Sequence, residues 1–211
     1  AKVGLSASEI IGGSLRGALD LTAAGGLDLA TAAETAGKTM KTFGLKAKDV
    51  PRIADALAAG ANKSAANVSD LSMALAQGGQ VAHQIGMSME DTVGVLAAFA
   101  DNALLGSDAG TSMKTMLQRL AAPTAEASAT MQRLGIDAYD AAGNFVGITD
   151  IAGQLQARMS SLTVEQRQQA MATIFGSDAV RAASILYNLG AEGLKTYTDG
   201  VRDSGAASRV A

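Results

Sequence analysis

Residues 104–123 read Leu104-Leu105-Gly106-Ser107-Asp108-Ala109-Gly110-Thr111-Ser112-Met113-Lys114-Thr115-Met116-Leu117-Gln118-Arg119-Leu120-Ala121-Ala122-Pro123. Met113, Met116, Leu117 and Leu120 recur at helical spacing, and Pro123 cannot continue a helix because its ring removes a donor and clashes with the preceding turn. Gly106 stands where one helix ends, and Ser107 or Asp108 is placed to cap the next. The same unit, an apolar helix end followed by Gly-Ser-Asp-Ala, returns at Ile174-Phe175-Gly176-Ser177-Asp178-Ala179. This stretch predicts an all-α chain of short helices separated by glycine junctions.

Working outward, the same period marks a first helix with Leu15, Leu19, Thr22 and Ala23 continuing from Ile11 and closing at Gly25-Gly26. Others follow from about Asp28 to Phe43, from Pro51, from Val68 to Ile85, and from Ser88 to Leu105. Pro51 suits a first helical turn, where its missing N–H has no partner to lose. Asn67 or Ser69 caps the helix at Val68, and Gly78-Gly79 is its weak point. Beyond Pro123 a short helix ends near Leu134. Residues 136–148, with Ile136-Asp137-Ala138-Tyr139, Asp140-Ala141-Ala142-Gly143-Asn144 and Phe145-Val146, read as a small hairpin or turn. Helices resume at Asp150–Ser160, Thr163–Phe175 and Asp178–Leu189, fraying toward Val201. The expected division is a helical part over 1–134, a hairpin insert over 135–149, a second helical part over 150–203, and a linker over 204–211 with little to bury.

An apolar-Gly-apolar unit with a later acid occurs four times: Val3-Gly4-Leu5…Glu9, Phe43-Gly44-Leu45…Asp49, Ile85-Gly86-Met87…Asp91 and Leu134-Gly135-Ile136…Asp140. Glycine ends one helix in a left-handed conformation, and the polar-x-x-acidic segment caps the next. Ser6-x-x-Glu9 and Ser88-x-x-Asp91 fit a capping box, whereas Lys46-x-x-Asp49 does not. Because the spacing drifts, these are repeated helix junctions and not a strict solenoid.

Composition narrows function by exclusion. Hydrophobic residues make up 48% of 211, yet aromatics are 3%, with 24 glycines, two prolines, no cysteine and one histidine. Helices built this way approach closely but bury little area per residue. Thiolate metal sites and cysteine nucleophiles have no residues to work with, and a single histidine nearly excludes histidine-centred catalysis. His83 lies on an Ala/Gln-rich helix without a partner in sequence. Glu90 with Asp91, or Asp101 with Asp108, could pair as acid and base, but the first pair reads as a helix start favoured by the dipole. No catalytic, cofactor-binding or metal residues are therefore assigned.

Charge is near balance at −3 and spread along the chain, so no specific nucleic-acid site is expected. The densest basic stretch, Lys38, Lys41, Lys46, Lys48 and Arg52, reads as a solvated helix end. No signal peptide stands at Ala1-Lys2-Val3-Gly4, and a chain without an initial Met is expected to be processed or a piece of a longer protein. Val93–Leu105 is too short and too interrupted to span a membrane. Gly13-Ser14-Leu15-Arg16-Gly17 offers a close helix contact, within the chain or between chains; Gly106 to Gly110 has the same spacing but is better explained by capping. Nine methionines fill an irregular core or form an adaptable self-association surface.

The ordered series Gly106-Ser107-Asp108-Ala109-Gly110-Thr111, Leu117 to Pro123-Thr124, Leu134-Gly135-Ile136, Tyr139-Asp140, Gly143-Asn144-Phe145 and Ile174-Phe175-Gly176 resembles the core region of phage tail tape measure proteins, the phage minor tail protein family. Upstream, Val68-Ser69-Asp70-Leu71 and Ile85-Gly86-Met87-Ser88-Met89-Glu90-Asp91 fit the same pattern, so the resemblance runs from about Val3 to Leu189. It implies a non-enzymatic helical ruler that scaffolds tail-tube polymerisation, sets tail length and assists DNA ejection. The implied partners are copies of itself, tail-tube subunits, tail assembly chaperones and tail tip or hub proteins. The implied location is the tail lumen of the virion, and the host cytoplasm during assembly. Gly86, Ser88, Asp91, Gly106, Ser107, Asp108, Ala109, Gly110, Thr111, Pro123, Gly135, Asp140, Gly143, Phe175 and Gly176 carry over as structural motif residues only. The rival reading is a helical adhesin or secreted effector segment that binds a protein partner, and a helical lytic hydrolase comes third.

Overall fold

The computed structural model describes residues 13–209. Expectations that fall before this range, the Val3-Gly4-Leu5…Glu9 unit with its Ser6 capping box and the contribution of Ile11, lie outside the described residues. Among the described residues ten α-helices follow in order: α1 (Leu15–Gly25), α2 (Leu29–Thr42), α3 (Val50–Asn62), α4 (Val68–Gln84), α5 (Met89–Asp101), α6 (Gly106–Ala121), α7 (Ala125–Leu134), α8 (Ile148–Met159), α9 (Val164–Phe175) and α10 (Val180–Gly200). A 3₁₀ turn, Ala47–Asp49, leads into α3. The fold is all-α, as the periodicity predicts. The expected hairpin reduces to one isolated antiparallel bridge, Tyr139 to Phe145, with no strand among the described residues. Asp140 shapes that turn, its carboxylate accepting the N–H groups of Ala142 and Asn144 at 2.9 Å each. These bonds, Asn144 first, hold its pKa below the ordinary carboxylate value.

Among the described residues, five of the ten helices are closed at their N-termini by a side-chain cap. Asn67, not Ser69, caps α4 in a reciprocal box: Asp70 N–H donates to Asn67 Oδ1 at 2.8 Å and Asn67 N–H donates to Asp70 Oδ2 at 3.1 Å. Ser88 accepts from Asp91 N–H at 3.0 Å, Thr124 from Ala127 N–H at 3.2 Å, and Thr163 from Gln166 N–H at 3.2 Å. Lys46-x-x-Asp49, read as failing the box, has its acidic half: Lys46 N–H donates to Asp49 Oδ2 at 2.9 Å. Only the side-chain cap from the lysine end is missing, since ammonium cannot accept.

Two Gly-Ser-Asp junctions differ from expectation. Helix α6 starts at Gly106 itself, with Leu105 as N-cap and no side-chain cap, so Ser107 and Asp108 occupy the first turn instead. At the second junction Ala179 is the N-cap, again without a side-chain bond. Helix α5 stops at Asp101 and not Leu105, because Ala103 takes a left-handed φ of 57° and Leu104 N–H bonds back to Phe99 O.

One continuous apolar core runs from Leu21 to Ala207. Eight of the nine methionines are buried in it, leaving Met73 46% exposed, so methionine here fills the interior. Helix α1 faces the opposite way from the predicted stripe: Gly17, Ala18 and Leu21 are buried while Leu15 and Leu19 are exposed. The reason is Gly17, where a Cβ would stand 2.7 Å from Pro51 N; the close approach to α3 overrides the leucine period. Within the expected linker, Ala206 and Ala207 are buried.

Candidate functional site

The sequence Ser88-Met89-Glu90-Asp91 opens α5 and borders a highly charged cleft. Helix geometry turns Met89 and Glu90 inward, and Glu90 is only 6% exposed. An ionised carboxylate at that depth needs a partner. It receives the fork of Arg52 from α3, with Nε donating to Oε1 and Nη2 to Oε2 at 2.8 Å. The bond to Glu90 raises the Arg52 pKa further above its ordinary value. Asp91, one residue on, accepts from Ser88 Oγ at 2.6 Å and from Arg202 Nη2 at 2.7 Å.

These groups border a cleft of about 650 Å³ lined by Lys48, Arg52, Asp55, Glu90, Arg202 and Ser204. Its acids are committed to the protein's own chain. Asp55 accepts two backbone donors, Gly205 N–H at 2.8 Å and Ala207 N–H at 3.1 Å. At the far end of α5, Asp101 accepts Ala65 N–H at 2.7 Å and the Tyr197 hydroxyl at 2.7 Å. Of the acids weighed as catalytic pairs, Glu90, Asp91 and Asp101 act as ties between distant segments. His83 is exposed and meets Phe43 edge to face, ring centroids 5.7 Å apart.

Tyr197 yields a pH-dependent prediction. Burial, then the hydrogen bond to Asp101, push its phenol up to about 12. A phenol whose folded pKa exceeds its ordinary value stabilises the fold while neutral, and that contribution is lost as pH rises from about 10 to about 12. Because the side chain is partly exposed, screening limits the effect to about 1 kcal/mol. Tyr197→Phe should lower the melting temperature at neutral pH, and the difference from the native chain should vanish across that alkaline window in melts recorded at successive pH values.

Of the other motif residues, Gly110 packs in the seam between α4 and α6. Ala109 and Gly110 are buried, while Ser107, Asp108 and Thr111 point to solvent. Gly110 is a contact glycine and not a cap: a Cβ there would lie 2.2 Å from Ala74 O. Facing it, Gly78 would place a Cβ 2.7 Å from Gly110 O, so Gly78-Gly79 is a docking point and not a weakness of α4. Ser112 Oγ donates to Asp178 O at 2.6 Å, tying this seam to the second Gly-Ser-Asp junction. Phe175 is fully buried there, and Gly176 takes a φ of 75° beside Arg119. Gly86, Gly135 and Gly143 all have left-handed φ values, at the α4 and α7 ends and in the Asp140 turn. Pro123 follows the end of α6.

The structure thus places Ser88 in one cleft with Arg52, Glu90 and Arg202, Asp91 bonding to Ser88 and Arg202 at its border, and brings Ala109, Gly110, Phe175 and Gly176 along one packed region. Arg202, Asp55 and Tyr197 were not singled out from sequence. Their partners lie 96 to 152 residues away, and no local spacing signals such a pairing. Among the described residues no cluster of three or more His, Asp or Glu side chains could hold a metal, and no helix is long and apolar enough to cross a membrane.

A family model described as "Phage-related minor tail protein" matches residues 1–176. The chain belongs to that family. The match stops at Gly176, the glycine that ends α9, but similarity to an individual relative continues through α10. A protein named "Tape measure protein" of Pneumococcus phage Dp-1 is 34% identical over 212 residues, covering 100% of this chain and 18% of its own length. A "Probable tape measure protein" of Escherichia phage P2 is 36% identical over 153 residues, 72% of this chain and 19% of its own. The chain therefore spans about a fifth of the relatives it matches. No solved structure matches it. In this minor tail family member the motif glycines stand at helix junctions and at close helix contacts.

Proposed function

We propose that this chain is one segment of a tape measure protein, a structural ruler that scaffolds tail-tube polymerisation, sets tail length and assists genome ejection. The observation that carries the reading is identity along the entire chain to a phage protein of that name. The site chemistry supports it: the carboxylates of the charged cleft hold the chain to itself, and glycine seams pack thin helices tightly. The reading is non-enzymatic. It places the chain in the tail lumen, and in the host cytoplasm during assembly. Its partners would be further copies of itself, surrounding tube subunits, assembly chaperones and tip or hub proteins.

Duplicating residues 1–211 in frame in the parent gene tests the reading by electron microscopy of the tails. Longer tails are expected, by an increment of up to about 320 Å, the length of 211 residues as unbroken helix at roughly 1.5 Å per residue. Tails of unchanged length would refute the measuring role, and absence of the protein from purified tails would refute the tail role altogether.

A further inference from the structure

Helix α10 is broken at Gly190, whose φ of 63° and ψ of −169° fall in a region that essentially only glycine enters. Gln156 from α8 fills the break. Its Nε2 donates to Tyr187 O at 3.3 Å and to Asn188 O at 3.5 Å, carbonyls that in an unbroken helix accept from Ala191 and Glu192. A Cβ at Gly190 would sit 2.2 Å from Gln156 Oε1, so only glycine leaves room for the glutamine in this position.

Beyond the break Ala191 lies against Gly153 of α8, and the rest of the segment is held largely by α3 and α5. The backbone of Thr198 presses on Gly94, where a Cβ would be 2.7 Å from Thr198 Cα, and Leu194, Val201, Ala206 and Ala207 are buried. Three aspartates supply the polar grip: Asp101 on Tyr197, Asp91 on Arg202, and Asp55 on the N–H groups of Gly205 and Ala207. They lie in series along the segment.

We propose that residues 191–209 are a detachable arm, hinged at Gly190 and clasped by Asp55, Asp91 and Asp101, whose release straightens α10 into one continuous helix. The arm is a property of the fold and stands apart from the ruler reading. Two opposed forces define it. The clasps hold the bend, and the helical hydrogen bonds replaced at Tyr187 and Asn188 favour its straightening.

Residue-resolved amide hydrogen exchange on the 211-residue chain tests this. In Asp55→Ala/Tyr197→Phe/Arg202→Ala, amides from Leu194 to Ala207 should exchange at least about tenfold faster while those of α4 and α6 keep their native rates. Arg202→Ala alone, at a half-exposed side chain, should shift the same amides in the same direction and serves if the triple variant does not fold. In Gln156→Ala/Gly190→Ala the signs should split: the amides of Ala191 and Glu192 slow as the helix becomes continuous, and those of Gly205 and Ala207 speed up as the arm leaves. Acceleration of arm, α4 and α6 in step would overturn the proposal. So would an unchanged arm in the clasp variants, or loss of protection at Ala191 and Glu192 in the hinge variant.

Discussion

Gly110→Ala should destabilise the chain by about 3 kcal/mol, the upper range for overpacking, and lower its melting temperature by roughly 6–12 °C. The added methyl would meet Ala74 O at 2.2 Å and Ala74 C and Cα at 2.8 Å. All three are backbone atoms of a regular helix, so no rotamer change relieves the contact, and α4 and α6 must separate. Separation opens the region where Met113, Met116, Leu117 and Leu120 are buried at 2% exposure or less. Gly143→Ala is the matched control. Nothing lies within 4 Å of a Cβ there, and only its φ of 84° resists substitution, costing about 1 kcal/mol. If thermal melts place the two variants together, the seam is not the closed contact described.

The two glycine motifs show what could and could not be read in advance. Helix count, helix ends and most caps follow from local chemistry, and apolar period, Gly, Pro and Ser-x-x-Asp all announce themselves within a few residues. Which face a glycine serves does not. Gly106 and Gly110 look alike as a spaced pair, yet one starts a helix with φ 56° while the other is a contact point. Leu15 and Leu19 satisfied the period and still ended up exposed, because Gly17 lets α1 lie against the Val50–Pro51 backbone. In an Ala/Gly-rich chain the tightest contacts are made where side chains are missing, and a search for hydrophobic stripes is blind to them. Tertiary ties are hidden for a different reason. Arg202 reaches Asp91 across 111 residues, and neither residue's neighbours mark it as paired. For the same reason residues 204–209 look featureless in sequence, their anchor being Asp55 on α3.

Phe175→Ala should cost about 4 kcal/mol and lower the melting temperature by roughly 8–16 °C. Four phenylalanines and three tyrosines are the chain's whole aromatic content, and Phe99 and Phe175 head its fully buried side chains. Each therefore carries a large share of the apolar burial that alanine cannot supply. The cost of such a truncation depends on how far the surroundings collapse into the space left behind. Helix α9 packs on α6, α7 and α10, and the latter two bury Ala127, Ala182 and Ala183 in the same core. Alanine has no rotamers with which to fill a void, so collapse would require whole helices to move, and glycine contacts such as Gly110 on Ala74 restrict that movement. Val164→Ala on the same helix supplies the contrast: at 61% exposure it should change stability by no more than about 0.5 kcal/mol. Urea titrations of both variants check the pair. A Phe175→Ala midpoint as close to native as that of Val164→Ala would show that the core around α9 is loose enough to close over the loss, and that the few aromatics are not what hold this small-residue fold together.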